Sequence, residues 1–180
     1  MEPLASKIRP KNLKEFVGQE HLTGPGKPIA MAIEKKHLFS FIFWGPPGVG
    51  KTTLAKIYAK ALNADYHELS AVSAGKEDIK KILETNGTLL GPRILFLDEI
   101  HRFNKAQQDF LLPYVESGKL TLIGATTENP SFEIIPALLS RLRVFVMNEL
   151  SDEEMKKIIK RTGCKIKKDA LDWLISMSGG

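Results

Sequence analysis

The stretch from Phe39 to Ala55, FSFIFWGPPGVGKTTLA, restricts the fold more than any other part of the chain. Gly45, Gly50, Lys51 and Thr52 fill the fixed positions of G-x-x-x-x-G-K-[ST]. An apolar run precedes them, and Leu54, Ile57, Tyr58, Ala61 and Leu62 follow at helical spacing. Strand, tight turn and helix are therefore expected in succession. Glycines without Cβ atoms let the turn curl until successive N–H groups converge on phosphate oxygens at a helix N-terminus, where the dipole favours negative charge. In such a loop Lys51 reaches the β and γ phosphates, and the Thr52 hydroxyl ligates Mg²⁺.

A second segment supplies carboxylates. Arg93 to Glu99, RILFLDE, is a continuous apolar run closed by Asp98 and Glu99, which suits a strand buried on both faces of a parallel sheet. Asp98 can hold Mg²⁺ through its waters, and Glu99 can orient or deprotonate the water that attacks the γ phosphate. A bare Asp-Glu pair is more often a solvated strand end. Downstream of a phosphate loop it reads as catalytic, and Glu99 favours hydrolysis by water over transfer to a small molecule.

Two further segments offer polar groups. The run Leu120 to Ala125 ends in Thr126, Thr127, Glu128 and Asn129. In a sheet of this kind it lies between the loop strand and the Asp-Glu strand, so Thr127 or Asn129 could position the water, the lesser alternative for each being a polar turn after a strand. Arg141 and Arg143 follow in LLSRLRVF. An arginine from a neighbouring subunit can stabilise charge on a transferring phosphoryl group, although by spacing alone an arginine near a helix end is more often a surface residue.

The 180 residues suffice for one sizeable core and a small appendage, and 43% hydrophobic with 26% charged residues is ordinary for a soluble globular protein. No apolar run approaches the ~20 residues that span a bilayer. MEPLASKIRPKN has no apolar signal region, so a cytoplasmic location without membrane attachment is expected. The single cysteine, Cys164, excludes an intramolecular disulfide and lies in a polar stretch, where it reads as incidental. The net charge of +5 is concentrated at the two ends, with acids and bases balanced over residues 41 to 150. A polyanionic partner is compatible with that, but solvated lysines on exposed faces are the commoner explanation.

In chain order, residues 1 to 27, punctuated by Pro3, Pro10, Pro25 and several glycines, read as an arm with little regular structure. Helices are expected over Lys27–His37, after the phosphate loop, and over Lys76–Glu84, Phe103–Glu116, Pro136–Ser140, Ser151–Thr162 and Lys168–Met177. Strands are expected at Ser40–Trp44, Tyr66–Leu69, Arg93–Glu99, Leu120–Ala125 and Val144–Met147, with Asn86-Gly87 as a turn and Trp44 in the core. Ser151 and Glu154 form a capping box. This alternation predicts an α/β fold with an open, doubly wound parallel sheet and its ligand at the carboxyl ends of the strands.

The segments GPPGVGKTT, ILFLDEIHRF, GATTENPSF and ALLSRLRVF together resemble the AAA+ P-loop ATPases of the clamp-loader-like branch. RPKNLKEFVGQEHLTGPGKPI and the block from Asp98 to Phe145 bring the resemblance closest to the replication-associated recombination protein A family and its Werner-helicase-interacting relatives. The resemblance implies an arm over residues 1–27 in which Val17 and Gly18, just after Arg9 and Pro10, pack against adenine. It implies a nucleotide-binding core over 28–148 and the start of a helical lid over 149–180. Gly45, Pro46, Pro47, Gly48, Val49, Gly50, Lys51, Thr52 and Thr53 match Walker A, and Asp98 and Glu99 match Walker B. Thr127 best matches sensor 1, with Asn129 close by, and Arg141 matches the trans-acting finger ahead of Arg143.

Family members continue past the equivalent of SMSGG with an Asp-x-Arg stretch carrying sensor 2, the rest of the lid and an oligomerisation region, so the resemblance implies a fragment. It further implies an ATPase using ATP and Mg²⁺, stimulated by DNA and working as a homo-oligomer at stalled replication forks. Single-stranded, gapped or fork DNA and replication proteins such as single-strand-binding protein are the implied partners, with a nucleoid association if the source is bacterial. A nucleotide-dependent clamp-loader-like scaffold and a RuvB-like branch-migration motor are the competing readings, and a small-molecule kinase is the weakest.

Overall fold

The computed structural model describes residues 7–84, 91–164 and 166–178. Pro3, the Asn86-Gly87 turn and the closing Gly179-Gly180 lie outside the described residues. Among the described residues five strands, β1 (Phe41–Trp44), β2 (Asp65–Ser70), β3 (Arg93–Asp98), β4 (Thr121–Thr126) and β5 (Arg143–Val146), form one sheet in the order β2-β3-β4-β1-β5. All four pairings are parallel. The strand carrying Thr126 therefore lies between the loop strand and the carboxylate strand, as expected from the sequence.

Continuous apolar runs make the three central strands because their alternate side chains serve two separate cores. Phe41, Phe43, Ile94, Phe96, Ile123 and Ala125 point to one face. Ile42, Leu95, Leu97 and Leu122 point to the other. The first face is covered by α1 (Glu20–Thr23), α2 (Pro28–Glu34) and α3 (Lys51–Ala61) through Leu22, Ile29, Leu54 and Tyr58. The second is covered by α4 (Lys76–Glu84), a 3₁₀ turn at Ile100–Arg102, α5 (Lys105–Glu116) and α7 (Pro136–Leu139), through residues such as Ile79, Leu111 and Leu138, with the short α6 (Pro130–Glu133) ahead of α7 in the chain. Each such side chain contributes roughly 1.5–3 kcal/mol on burial. Among the described residues two helices, α8 (Asp152–Lys160) and α9 (Lys168–Ser178), follow β5.

Several local expectations are revised. The arm, expected to have little regular structure, holds the four-residue α1, and its Leu22 is part of the core. Gln19 ties it down, its amide donating to Asn148 O (2.7 Å) and accepting from Asn148 N–H (2.9 Å). The helix expected from Phe103 starts at Lys105, because Asn104 takes the N-cap: its Oδ1 accepts from Gln107 N–H and its own N–H donates to Gln107 Oε1. Pro130 opens α6, an unforeseen turn of helix capped by Asn129. Trp44 is half-buried and lies outside the core, and Ala61 is exposed. The Ser151/Glu154 capping box forms as expected.

Candidate active site

The phosphate loop leaves the carboxyl end of β1 and closes into α3. Gly48 (φ 82°) and Gly50 (φ 99°) take left-handed backbone conformations that a Cβ disfavours, and a Cβ on Gly50 would also sit 2.8 Å from the Phe16 ring. Gly45 N–H donates to the carbonyl of Thr126, tying the start of the loop to the end of β4. Lys51 is 8% exposed. Its ammonium donates to the carbonyls of Gly45 (2.7 Å) and Pro46 (2.8 Å) and forms no ion pair among the described residues. Burial lowers its pKa, opposed by the charges of Glu99 and Asp98.

Lys51, Thr52, Asp98 and Glu99 line one cavity of about 270 Å³, with Pro47 and Arg9 also on its wall. A second cavity of about 400 Å³ is lined by Ile8, Pro10, Val17, Leu150 and Ile158, with Arg161 at its edge. Arg9, Gly48, Gly50 and Thr53 border both, so the two are halves of one cleft. The smaller is polar and suits phosphates; the larger is mostly apolar and suits a base. Val49 lines the apolar half, whereas Gly18 does not. Instead Gly18, at φ 84°, lies so close to the entry to α8 that a Cβ would meet Leu150 Cδ2 at 2.6 Å and Glu154 Oε1 at 3.3 Å. The sequence reading missed Ile158, from α8, and Arg161, its C-cap, which both line the cleft, because no local pattern marks a helix face that reaches back across the fold.

Asp98 and Glu99 stand at the end of β3. Burial, with the charge of Glu99 beside it, pushes Asp98 above the ordinary aspartate range. Its Oδ1 accepts from the Glu99 N–H at 3.2 Å. Glu99 stands in a left-handed conformation, φ 54°, which costs a residue with a Cβ roughly 1–3 kcal/mol. The Thr52 hydroxyl and the Asp98 carboxylate are hard oxygen donors on one wall, a set that fits Mg²⁺, which keeps several waters and takes few protein ligands. Among the described residues no cluster of three or more His, Cys, Asp or Glu could hold a metal by itself.

The remaining sequence candidates separate. Asn129 Oδ1 accepts from Ser131 N–H and is committed to capping α6. Thr127 makes no hydrogen bond among the described residues, which leaves its hydroxyl available, although neither residue lines the phosphate cavity. Arg141 is not brought to the cleft. It precedes β5, whose first residue pairs with Phe41, so it lies at the amino edge of the sheet while the phosphate loop leaves the carboxyl edge. There its guanidinium meets Glu116 at 2.6 Å. Arg143 stacks on Phe39, 4.8 Å from the ring centroid.

Comparison with known proteins fits this geometry. The family model for the ATPase family associated with various cellular activities (AAA) matches residues 41–150. The chain belongs to the AAA family. Replication-associated recombination protein A of Escherichia coli (strain K12) is 51% identical over 161 residues, which are 88% of this chain and 36% of that protein. ATPase WRNIP1 of Dictyostelium discoideum is 52% identical over 164 residues, 89% of this chain and 19% of that protein. The solved structure of the Thermotoga maritima RuvB Holliday junction branch migration motor superposes with a TM-score of 0.78 at 34% identity, over 93% of this chain and 59% of that one. This AAA chain thus spans about a third of the length of the recombination proteins it resembles.

Proposed function

We propose that the chain is the ATP-binding and ATP-hydrolysing core of a protein of DNA replication, recombination and repair, acting at stalled forks to remodel DNA or replication proteins. The observation that carries this reading is the convergence of Lys51, Thr52, Asp98 and Glu99 on one cavity beside an apolar pocket bounded by the arm. The 51% identity to replication-associated recombination protein A supplies the biological setting.

In this reading Val17 and its apolar neighbours hold the base, and the loop N–H groups with Lys51 hold the phosphates. Thr52 and Asp98 would hold Mg²⁺, which when bound neutralises charge on the phosphate oxygens. Glu99 takes the proton from the attacking water, and Thr127, with its uncommitted hydroxyl, positions that water in preference to Asn129. Arg141, at the far edge of the sheet, serves the cleft of a neighbouring copy, so turnover requires an oligomer. Residues 149–180 begin a lid whose α8 already closes over the base side. DNA with single-stranded, gapped or fork character stimulates turnover, and single-strand-binding protein is among the candidate partners.

The experiment is ATP hydrolysis with and without single-stranded and fork DNA, with Glu99→Gln as control. Turnover that DNA stimulates and Glu99→Gln abolishes is expected. Hydrolysis indifferent to DNA would overturn the assignment. Similarity to RuvB favours a second reading, a branch-migration motor; stimulation by four-way junctions alone would select it.

A further inference from the structure

Something beyond its place in the sequence holds Glu99. Its left-handed backbone is a conformation that persists only where the surroundings enforce it. Its Oε2 lies 3.2 Å from Nε2 of His101, whose side chain is 8% exposed. A carboxylate only accepts, so Nε2 is the donor. The other imidazole nitrogen, Nδ1, lies 2.9 Å from the hydroxyl of Thr126, which is completely buried at the end of β4. That hydroxyl also accepts from Glu128 N–H (3.0 Å) and reaches the Glu128 carbonyl (3.1 Å), closing the turn that contains Thr127. The Thr126 carbonyl accepts from Gly45 N–H, at the start of the phosphate loop. One imidazole thus joins the carboxylate at the end of β3 to the place where the β4 turn and the phosphate loop meet.

We propose that His101 is a positioning residue for Glu99, fixing its carboxylate from the Thr126 turn. This rests on the reading of Glu99 as the group that activates water. His101 lines neither half of the cleft, so it acts through Glu99 and not on the nucleotide. Outer partners of this kind orient a working side chain without adding a contact to the ligand. Because the same hydroxyl closes the turn bearing Thr127, an adjustment of that turn is transmitted to Glu99 through two hydrogen bonds.

The test measures kcat, KM and, separately, the ATP dissociation constant for His101→Ala and His101→Gln, with melting temperatures and the imidazole ¹⁵N spectrum. His101→Ala is expected to lower kcat roughly 10- to 100-fold, the range for outer partners of site groups. KM and the dissociation constant should stay within about twofold, since His101 does not line the cleft. His101→Gln, which keeps a donor near Glu99, should restore most of the rate. The His101 Nε2 resonance should move in Glu99→Gln. Unchanged kcat in His101→Ala overturns the proposal, as does a loss of rate matched by equal losses of ATP affinity or melting temperature. An Nε2 resonance indifferent to Glu99→Gln also overturns it. If Glu99→Gln itself turns over at the unmutated rate, the reading of Glu99 fails instead, which separates the two failures.

Discussion

Asp98 is an aspartate placed against its own solvation, and its stability consequence has a definite sign. Its folded pKa is raised, so the folded state holds more protons than the unfolded chain between the two values. Stability therefore falls as pH rises through that window from the ordinary aspartate value of ~3.9. Asp98→Asn should raise the melting temperature of the nucleotide-free protein at pH 7, with the gain disappearing toward pH ~4, while Mg²⁺-dependent hydrolysis is lost. Calorimetry across that range checks the first part and phosphate release the second. Lys51→Met should also raise melting temperature at neutral pH, since burial disfavours the ammonium, and should abolish ATP binding measured by titration calorimetry.

At the scale of elements, close approach and capping set the tolerances. Gly124 lies in the middle of β4, where a Cβ would meet Ile100 Cδ1 at 3.0 Å and Ile42 Cγ1 at 3.2 Å. The 3₁₀ turn after Glu99 thus packs directly on the strand, and the small residue lets the two carboxylates sit where they do. Gly124→Val should destabilise by about 1–3 kcal/mol through overpacking, read as a lower urea midpoint with unchanged slope. Asn104→Ala removes one half of the α5 capping box and should cost about 1 kcal/mol by the same measurement. At the sheet edge Asp65 and Arg93 stand in register on β2 and β3, with Arg93 Nε 3.3 Å from Asp65 Oδ2. Arg93 also reaches the carbonyl of Leu83, pinning α4 to the strand pair.

For the molecule as a whole, the decisive distance is the depth of the sheet. It separates Arg141 from the phosphate loop, so a copy cannot use its own arginine. Arg141→Ala and Glu99→Gln should each abolish hydrolysis alone, yet mixing the two proteins should restore a fraction of it. In a mixed assembly some interfaces pair an intact Glu99 with an intact Arg141. Absence of recovery on mixing, with assembly verified by light scattering, would remove Arg141 from the mechanism. The arm is the second whole-molecule feature, because Gln19 grips the backbone of Asn148 across 129 residues. Gln19→Ala removes the two hydrogen bonds that tie the arm to the backbone of Asn148, and ATP affinity measured by titration should fall because Val17 loses its anchor.

What the sequence determined by itself is whatever is written in local period and local chemistry. The strand, loop and helix around Gly45 to Thr52 follow from glycine placement and spacing, the buried strands from unbroken apolar runs, and the α8 start from the Ser151/Glu154 box. That Asp98 and Glu99 would stand beside the phosphate loop was legible because two carboxylates close an unbroken apolar run downstream of it, and the two line one cavity with Lys51 and Thr52. Tertiary structure decided the rest, through which side chains the sheet register and returning segments bring together. It commits Asn129 to a cap, sends Arg141 to the opposite edge and carries Ile158 and Arg161 into the cleft. It also joins His101 to Thr126 across 25 residues. A hydrogen bond between distant residues leaves no period in the chain, because its partners are chosen by packing and not by spacing.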